Sequence, residues 1–107
     1  MLSQEDYQVA ADFKRQLLAA GVPLLELRVY GSRARGDSEN ESDLDICLIL
    51  SELNAEIEAV ISRLAWEVGF RHGIIISTVE HTPEQWYRSP LRISPFVRAV
   101  TQEGITI

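Results

Sequence analysis

Apolar positions along the chain recur with two periods, and the switches between them outline the elements. Tyr7, Ala10, Phe13, Leu17 and Ala20 follow at three- and four-residue steps until Gly21 and Pro23 stop the pattern, which predicts a first helix. Ser3, followed three residues later by Asp6, resembles a capping box at its start. From Leu24 to Tyr30 the period drops to two. Leu25, Leu27 and Val29 alternate with Glu26 and Arg28, as in a half-buried strand, and that strand runs straight into Gly31-Ser32. Asp37 to Ser42 is polar and acidic, hence a loop, and a second strand is expected from about Asp43 to Leu50. Leu53, Ile57, Val60, Ile61, Leu64 and Val68 form the apolar stripe of a helix over Glu52 to Phe70, with Gly73 as its stop. A third strand is expected at Ile74 to Glu80. Thr82-Pro83-Glu84-Gln85 reads as a helix start, and Ser94-Pro95 opens a last helix through about Glu103, which Gly104 terminates. Ile105 to Ile107 can add a short edge strand.

The order α β (short α) β α β α α, with an optional final β, predicts an α/β (α+β) fold in which helices cover a small sheet. Strand pairing is left open. No repeat or linker-like shift in composition divides the chain, so residues 1–107 are expected to form one domain, which suits a chain of 107 residues. Nearly half of the residues, 46%, are hydrophobic and 24% are charged, a globular balance that excludes wholesale disorder. Ten Lys and Arg against sixteen Asp and Glu leave 10 − 16 = −6. That charge argues against direct nucleic-acid binding and against attraction to an anionic membrane, while a local cationic patch could still grip a phosphate. Apolar runs fall far short of the roughly 18 residues that span a bilayer, and the chain starts with Gln4, Glu5 and Asp6 where a secretion signal carries Lys or Arg. The lone Cys47 sits in an apolar run and reads as a small buried residue; a reducing cytoplasm is the expected compartment.

Chemistry concentrates between Gly31 and Asp45. A strand ending at Gly31-Ser32 and passing into a helical turn presents free backbone N–H groups and a hydroxyl, which suits phosphate oxygens. Arg33 and Arg35 add cations beside it, with guanidinium forks that match phosphate. Asp43 and Asp45 lie two apart on the next strand, so both project from one face roughly 7 Å apart at the backbone. Two carboxylates that close repel unless a cation lies between them, and hard oxygen ligands near substrate phosphates suit Mg²⁺ or Mn²⁺. Leu44, Ile46, Leu48 and Leu50 alternate to the other face, where they can pack on a helix.

Gly31-Ser32, ten intervening residues and Asp43-Leu44-Asp45 resemble the signature of the polymerase-beta nucleotidyltransferase superfamily. The longer form Gly-Ser-Arg-Ala-Arg-Gly, followed by Ser42-Asp43-Leu44-Asp45, is similar to the minimal nucleotidyltransferases. The resemblance implies a small mixed sheet flanked by helices, ATP as nucleotide donor, catalytic Asp43 and Asp45 holding Mg²⁺ or Mn²⁺, and Gly31, Ser32 and Arg33 on the nucleotide. It also implies a small helical HEPN-type partner, with this chain as the antitoxin that transfers AMP to a hydroxyl of the toxin; an exposed sheet edge permits homo- or hetero-oligomers. The third carboxylate of the superfamily falls, by pattern, on Ser77, a poor substitute for an anionic ligand. Strict alternation sends Glu80 to the opposite face, while His81 shares the parity of Ser77. A catalytically impaired module that neutralises its partner by binding alone is the alternative.

Other features read as structural. Asp37, Glu39, Glu41 and Asp43 imitate a calcium loop, but Ser42 replaces the required Gly at position six and Leu48 the Glu at position twelve. Trp66 reads as core. Trp86 and Tyr87, near Arg88 and Arg92, fit packing against the sheet better than an exposed partner patch.

Overall fold

The computed structural model describes residues 2–36, 42–88 and 94–107. Helix α1, Gln4–Ala19, starts where expected: the Ser3 hydroxyl accepts a hydrogen bond from the Asp6 N–H at 3.1 Å. Its inward stripe is Val9, Ala10, Phe13 and Leu17, all buried, while Tyr7 stands half exposed. Strand β1, Leu24–Tyr30, leads without a loop into the short helix α2, Gly31–Arg35. Strand β2, Leu44–Leu50, follows, then helix α3, Ala55–His72. That helix begins three residues later than its stripe suggests because the Asn54 side chain caps it, accepting from the Ile57 N–H at 2.9 Å.

Strand β3, Ile76–His81, begins two residues after the expected Ile74. Ile74 is spent on the turn: its N–H bonds the Gly69 carbonyl at 2.9 Å. A Cβ on Gly69 would sit 2.5 Å from the Ile74 carbonyl oxygen, so only glycine lets this turn lie against α3. Thr82 and Gln85 do cap each other, at 3.1 and 3.3 Å, but the element they open is one π-helical turn, Glu84–Arg88. Helix α4, Pro95–Glu103, has Ser94 as its cap, and strand β4, Ile105–Thr106, closes the chain.

The four strands form one mixed sheet in the order β3-β2-β1-β4. Strand β1 is antiparallel to β2 and β4, whereas β2 and β3 are parallel, joined by α3 as a parallel pair requires. This is the expected small mixed sheet flanked by helices. One face packs against α1 and α3 through Leu27, Val29, Leu44, Ile46, Leu48, Leu50, Phe13, Leu17 and Ile61. The other carries a smaller cluster of Cys47, Ile49, Trp86, Val97 and Val100 under α4 and the π turn. Trp86 is thus the sheet-packing residue expected, while Tyr87 is 51% exposed.

Trp66 corrects the sequence reading. It is 68% exposed and stacks on Phe70, itself 77% exposed, with ring centres 5.2 Å apart. Ile61, Leu64, Ala65 and Val68 already fill the inward stripe of α3, and Trp66 lies about 100° around the helix from its neighbour Ala65. The acidic loop reading survives only at Ser42, because residues 37–41 lie outside the described residues, as do the calcium-like positions Asp37, Glu39 and Glu41, and Arg92. No described helix is long and apolar enough to cross a membrane.

Candidate active site

Alternation along β2 separates core from chemistry. Leu44, Ile46, Leu48 and Leu50 point into the helix-covered core with no exposed surface, so Asp45 must face the other side. There it is half-buried and lies between Tyr30 of β1 and Ser77 of β3, each its direct partner in register. Asp43 stands one residue ahead of the strand and is exposed.

Gly31 brings the Gly-Ser turn to the same place. Its φ of +78° is left-handed, and a Cβ at this position would lie 2.5 Å from Oδ2 of Asp45. A side chain there would be both strained and in collision, so glycine is required on two counts. Gly31-Ser32 and Asp45 therefore converge although fourteen positions separate Gly31 from Asp45 in sequence.

The electrostatics follow from the crowding. Burial, and then the charge of Asp43, push the Asp45 carboxyl above its usual value. Tyr30 is pushed up to about 12, first by burial and then by Asp45 and Cys47. Both effects disfavour negative charge on this face, and a cation between the carboxylates would reverse them. Among the described residues no group of three or more His, Cys, Asp or Glu forms a ready cage. Mg²⁺, however, commonly takes one or two carboxylates and completes its shell with water and substrate phosphates. The carboxylates of Asp43 and Asp45 fit that donor set.

Arg33 does not project as an isolated cation. Its Nη1 donates to both carboxylate oxygens of Asp6, at 2.9 and 3.1 Å, and its Nε donates to the Ser42 carbonyl at 2.7 Å. Arg35 pairs with Glu103 of α4 at 3.2 Å across an exposed surface. On β3, Ser77 is the residue beside Asp45, and Glu80, the register partner of the core residue Leu48, faces the helix side. Thr78 donates to Glu80 at 3.1 Å, and burial raises the Glu80 carboxyl. His81, at the end of β3, lies against Trp86 with ring centres 5.3 Å apart; burial lowers its pKa. Sequence reasoning missed Asp6. Its spacing from Ser3 explains it as a helix cap, and nothing in the sequence signals that its carboxylate reaches across to Arg33.

Comparison with known proteins gives the family and the fold. Residues 10–103 match the family model of the nucleotidyltransferase domain. Among solved structures, a candidate minimal nucleotidyltransferase is 24% identical, with 95% of each chain covered and a TM-score of 0.61. A toxin–antitoxin structure with AMP-PNP is 19% identical over 89% of this chain and 69% of that one, at a TM-score of 0.59. A complex of tri-AMPylated Shewanella oneidensis HEPN toxin with MNT antitoxin is 15% identical, covering 94% of this chain and 70% of that one, at 0.57. No curated protein matches the chain in sequence.

Proposed function

The chain belongs to the nucleotidyltransferase domain family, and from that premise we propose that it transfers AMP from ATP to a hydroxyl of a small helical HEPN-type protein, as the antitoxin of such a pair. The observation that carries this reading is the approach of Gly31 to the Asp45 carboxylate, which supports a phosphate-accepting turn beside that acid. The similar folds in complexes with AMP-PNP and with an AMPylated HEPN toxin support the nucleotide and the partner class.

In this reading the backbone N–H groups and hydroxyl of the Gly31-Ser32 turn take the phosphate oxygens of ATP. Asp43 and Asp45 would hold Mg²⁺ or Mn²⁺, which would supply positive charge to offset that of the triphosphate. The partner hydroxyl displaces pyrophosphate from the α-phosphorus in line: its oxygen forms the new P–O bond as the bond to pyrophosphate breaks, and its proton leaves to solvent. Positioning is the protein's main contribution, because the phosphoryl centre needs little covalent help. Cytoplasmic residence would give access to ATP.

One observation favours a second reading. Ser77, not an acid, is the register partner of Asp45 on β3, so a module that binds nucleotide and neutralises its partner by contact alone also suits the site. Transfer of label from α-labelled ATP to a co-expressed helical partner separates the two. We expect Mg²⁺-dependent labelling that disappears in Asp43→Asn and Asp45→Asn; a wild-type pair that stays unlabelled with either metal, while the double Asn variant still neutralises, selects the second reading.

A further inference from the structure

Asp43 is the less secured of the two acids, since β2 begins only at Leu44 and cannot hold it by pairing. Its two flanking peptide planes are nevertheless fixed. On one side the Ser42 carbonyl accepts from Nε of Arg33 at 2.7 Å; on the other the Leu44 N–H donates to the Ile75 carbonyl at 2.9 Å. Because each peptide unit is planar, anchoring both leaves Asp43 only its own φ and ψ to adjust between fixed ends. Arg33 can anchor Ser42 only if its guanidinium is itself held. Asp6, from the first turn of α1, does this through both carboxylate oxygens, with Arg33 and Asp6 side chains only 12% and 10% exposed.

We propose that Asp6 and Arg33 are positioning residues for Asp43: a buried ion pair that ties α1 and α2 to the peptide ahead of the exposed acid and so sets where that acid stands. The inference rests on the proposed function for its consequence, while the tie itself is independent of it. It assigns Arg33 to support of the acidic pair through the backbone. Lysine at this position keeps the charge, but a single ammonium lacks the planar fork that reaches a carboxylate and a carbonyl in different directions.

The test compares wild type, Arg33→Lys and Asp6→Asn at a temperature where all are folded. It measures Mn²⁺ affinity by electron paramagnetic resonance with AMP-PNP present, and amide exchange at Leu44 against Leu48. Outer-sphere supports of metal ligands typically change affinity by 10–100-fold. We expect Mn²⁺ binding weakened about tenfold or more, with faster exchange at Leu44 and unchanged protection at Leu48. A role confined to stability would lower the unfolding midpoint and leave both readouts at wild-type values, which overturns the proposal. If Arg33→Lys does not fold, Asp6→Asn decides by the same criteria, since it keeps the side-chain shape and an accepting oxygen. A wild-type chain that takes up no Mn²⁺–nucleotide overturns the proposed function instead; the Leu44 exchange then still decides whether the tie holds Asp43 in place.

Discussion

The two faces of the sheet are built from alternate residues of the same strands, yet they do opposite work. On the helix-covered face Leu44, Ile46, Leu48 and Leu50 have no exposed surface and meet the apolar sides of α1 and α3. On the other, Asp45 sits half-buried between Tyr30 and Ser77, with Cys47 and Ile49 packed under Trp86 and α4 further along. The first face holds the fold by removing apolar area from water. The second tolerates a carboxylate whose ionised form the surroundings disfavour. Destabilised charge at one strand end is affordable because the opposite face supplies the stability, which is how a chain of this length can hold both a core and a site.

Substitutions on β2 should separate the faces most sharply. Asp45→Asn should reduce nucleotide transfer to background in the labelling assay while leaving the fold at least as stable. The sign follows from the raised carboxyl: a folded pKa above the unfolded one means that ionisation weakens the fold as pH rises through that value, and Asn removes the charge. Leu48→Ala, on the buried side, should cost about 2–5 kcal/mol in urea unfolding. Equal losses of stability in both variants would erase the distinction.

Gly31→Ala should come next. A left-handed φ in a residue with a Cβ costs about 1–3 kcal/mol, and the methyl would also press on Asp45. We expect loss of nucleotide binding disproportionate to the modest loss in unfolding free energy; unchanged binding would show that the turn does not need its close approach.

A second ion-pair cluster extends the contrast because it ties α1 to the end of α3. Asp12 of α1 meets His72 at 2.9 Å and Arg71 at 3.1 Å at the end of α3, and also pairs with Arg15. The His72 hydrogen bond, then the charges of Arg15 and Arg71, hold its carboxyl below the usual value against the effect of burial. A lowered carboxyl contributes stability above its unfolded pKa of about 4 and loses it as pH falls through the folded value. Asp12→Asn should therefore lower the unfolding midpoint at neutral pH, with the gap to wild type closing in acid. Nucleotide binding should not change. The smallest effect is expected for Trp66→Ser, within about 0.5 kcal/mol, since that ring is mostly in water.

Much of this was legible in the chain because local rules governed it. The Ser3, Thr82 and Ser94 caps, the alternation of β2 and the Gly-Ser turn each depend on residues a few positions apart. The pairing of Ser77 with Asp45 matches the place that the family resemblance gave it. What stayed hidden depended on partners remote in sequence. Trp66 lies next to an apolar stripe, and only the three-dimensional rotation of α3 shows that the stripe is already full. Nothing near Arg33 in sequence shows that the carboxylate of Asp6, twenty-seven residues earlier, meets its guanidinium. Periodicity records which side of an element is apolar; it does not record which distant charge a polar side chain meets.

In the proposed function the Gly31-Ser32 turn and the acidic pair form one metal–nucleotide site. Titration calorimetry of ATP into the wild-type chain, with and without Mg²⁺, and into Asp45→Asn tests it most directly. We expect saturable ATP binding in the presence of Mg²⁺ that is lost when the metal is withheld or Asp45 is replaced. No ATP binding with Mg²⁺ present, or binding of equal strength in the folded Asp45→Asn variant, would contradict it.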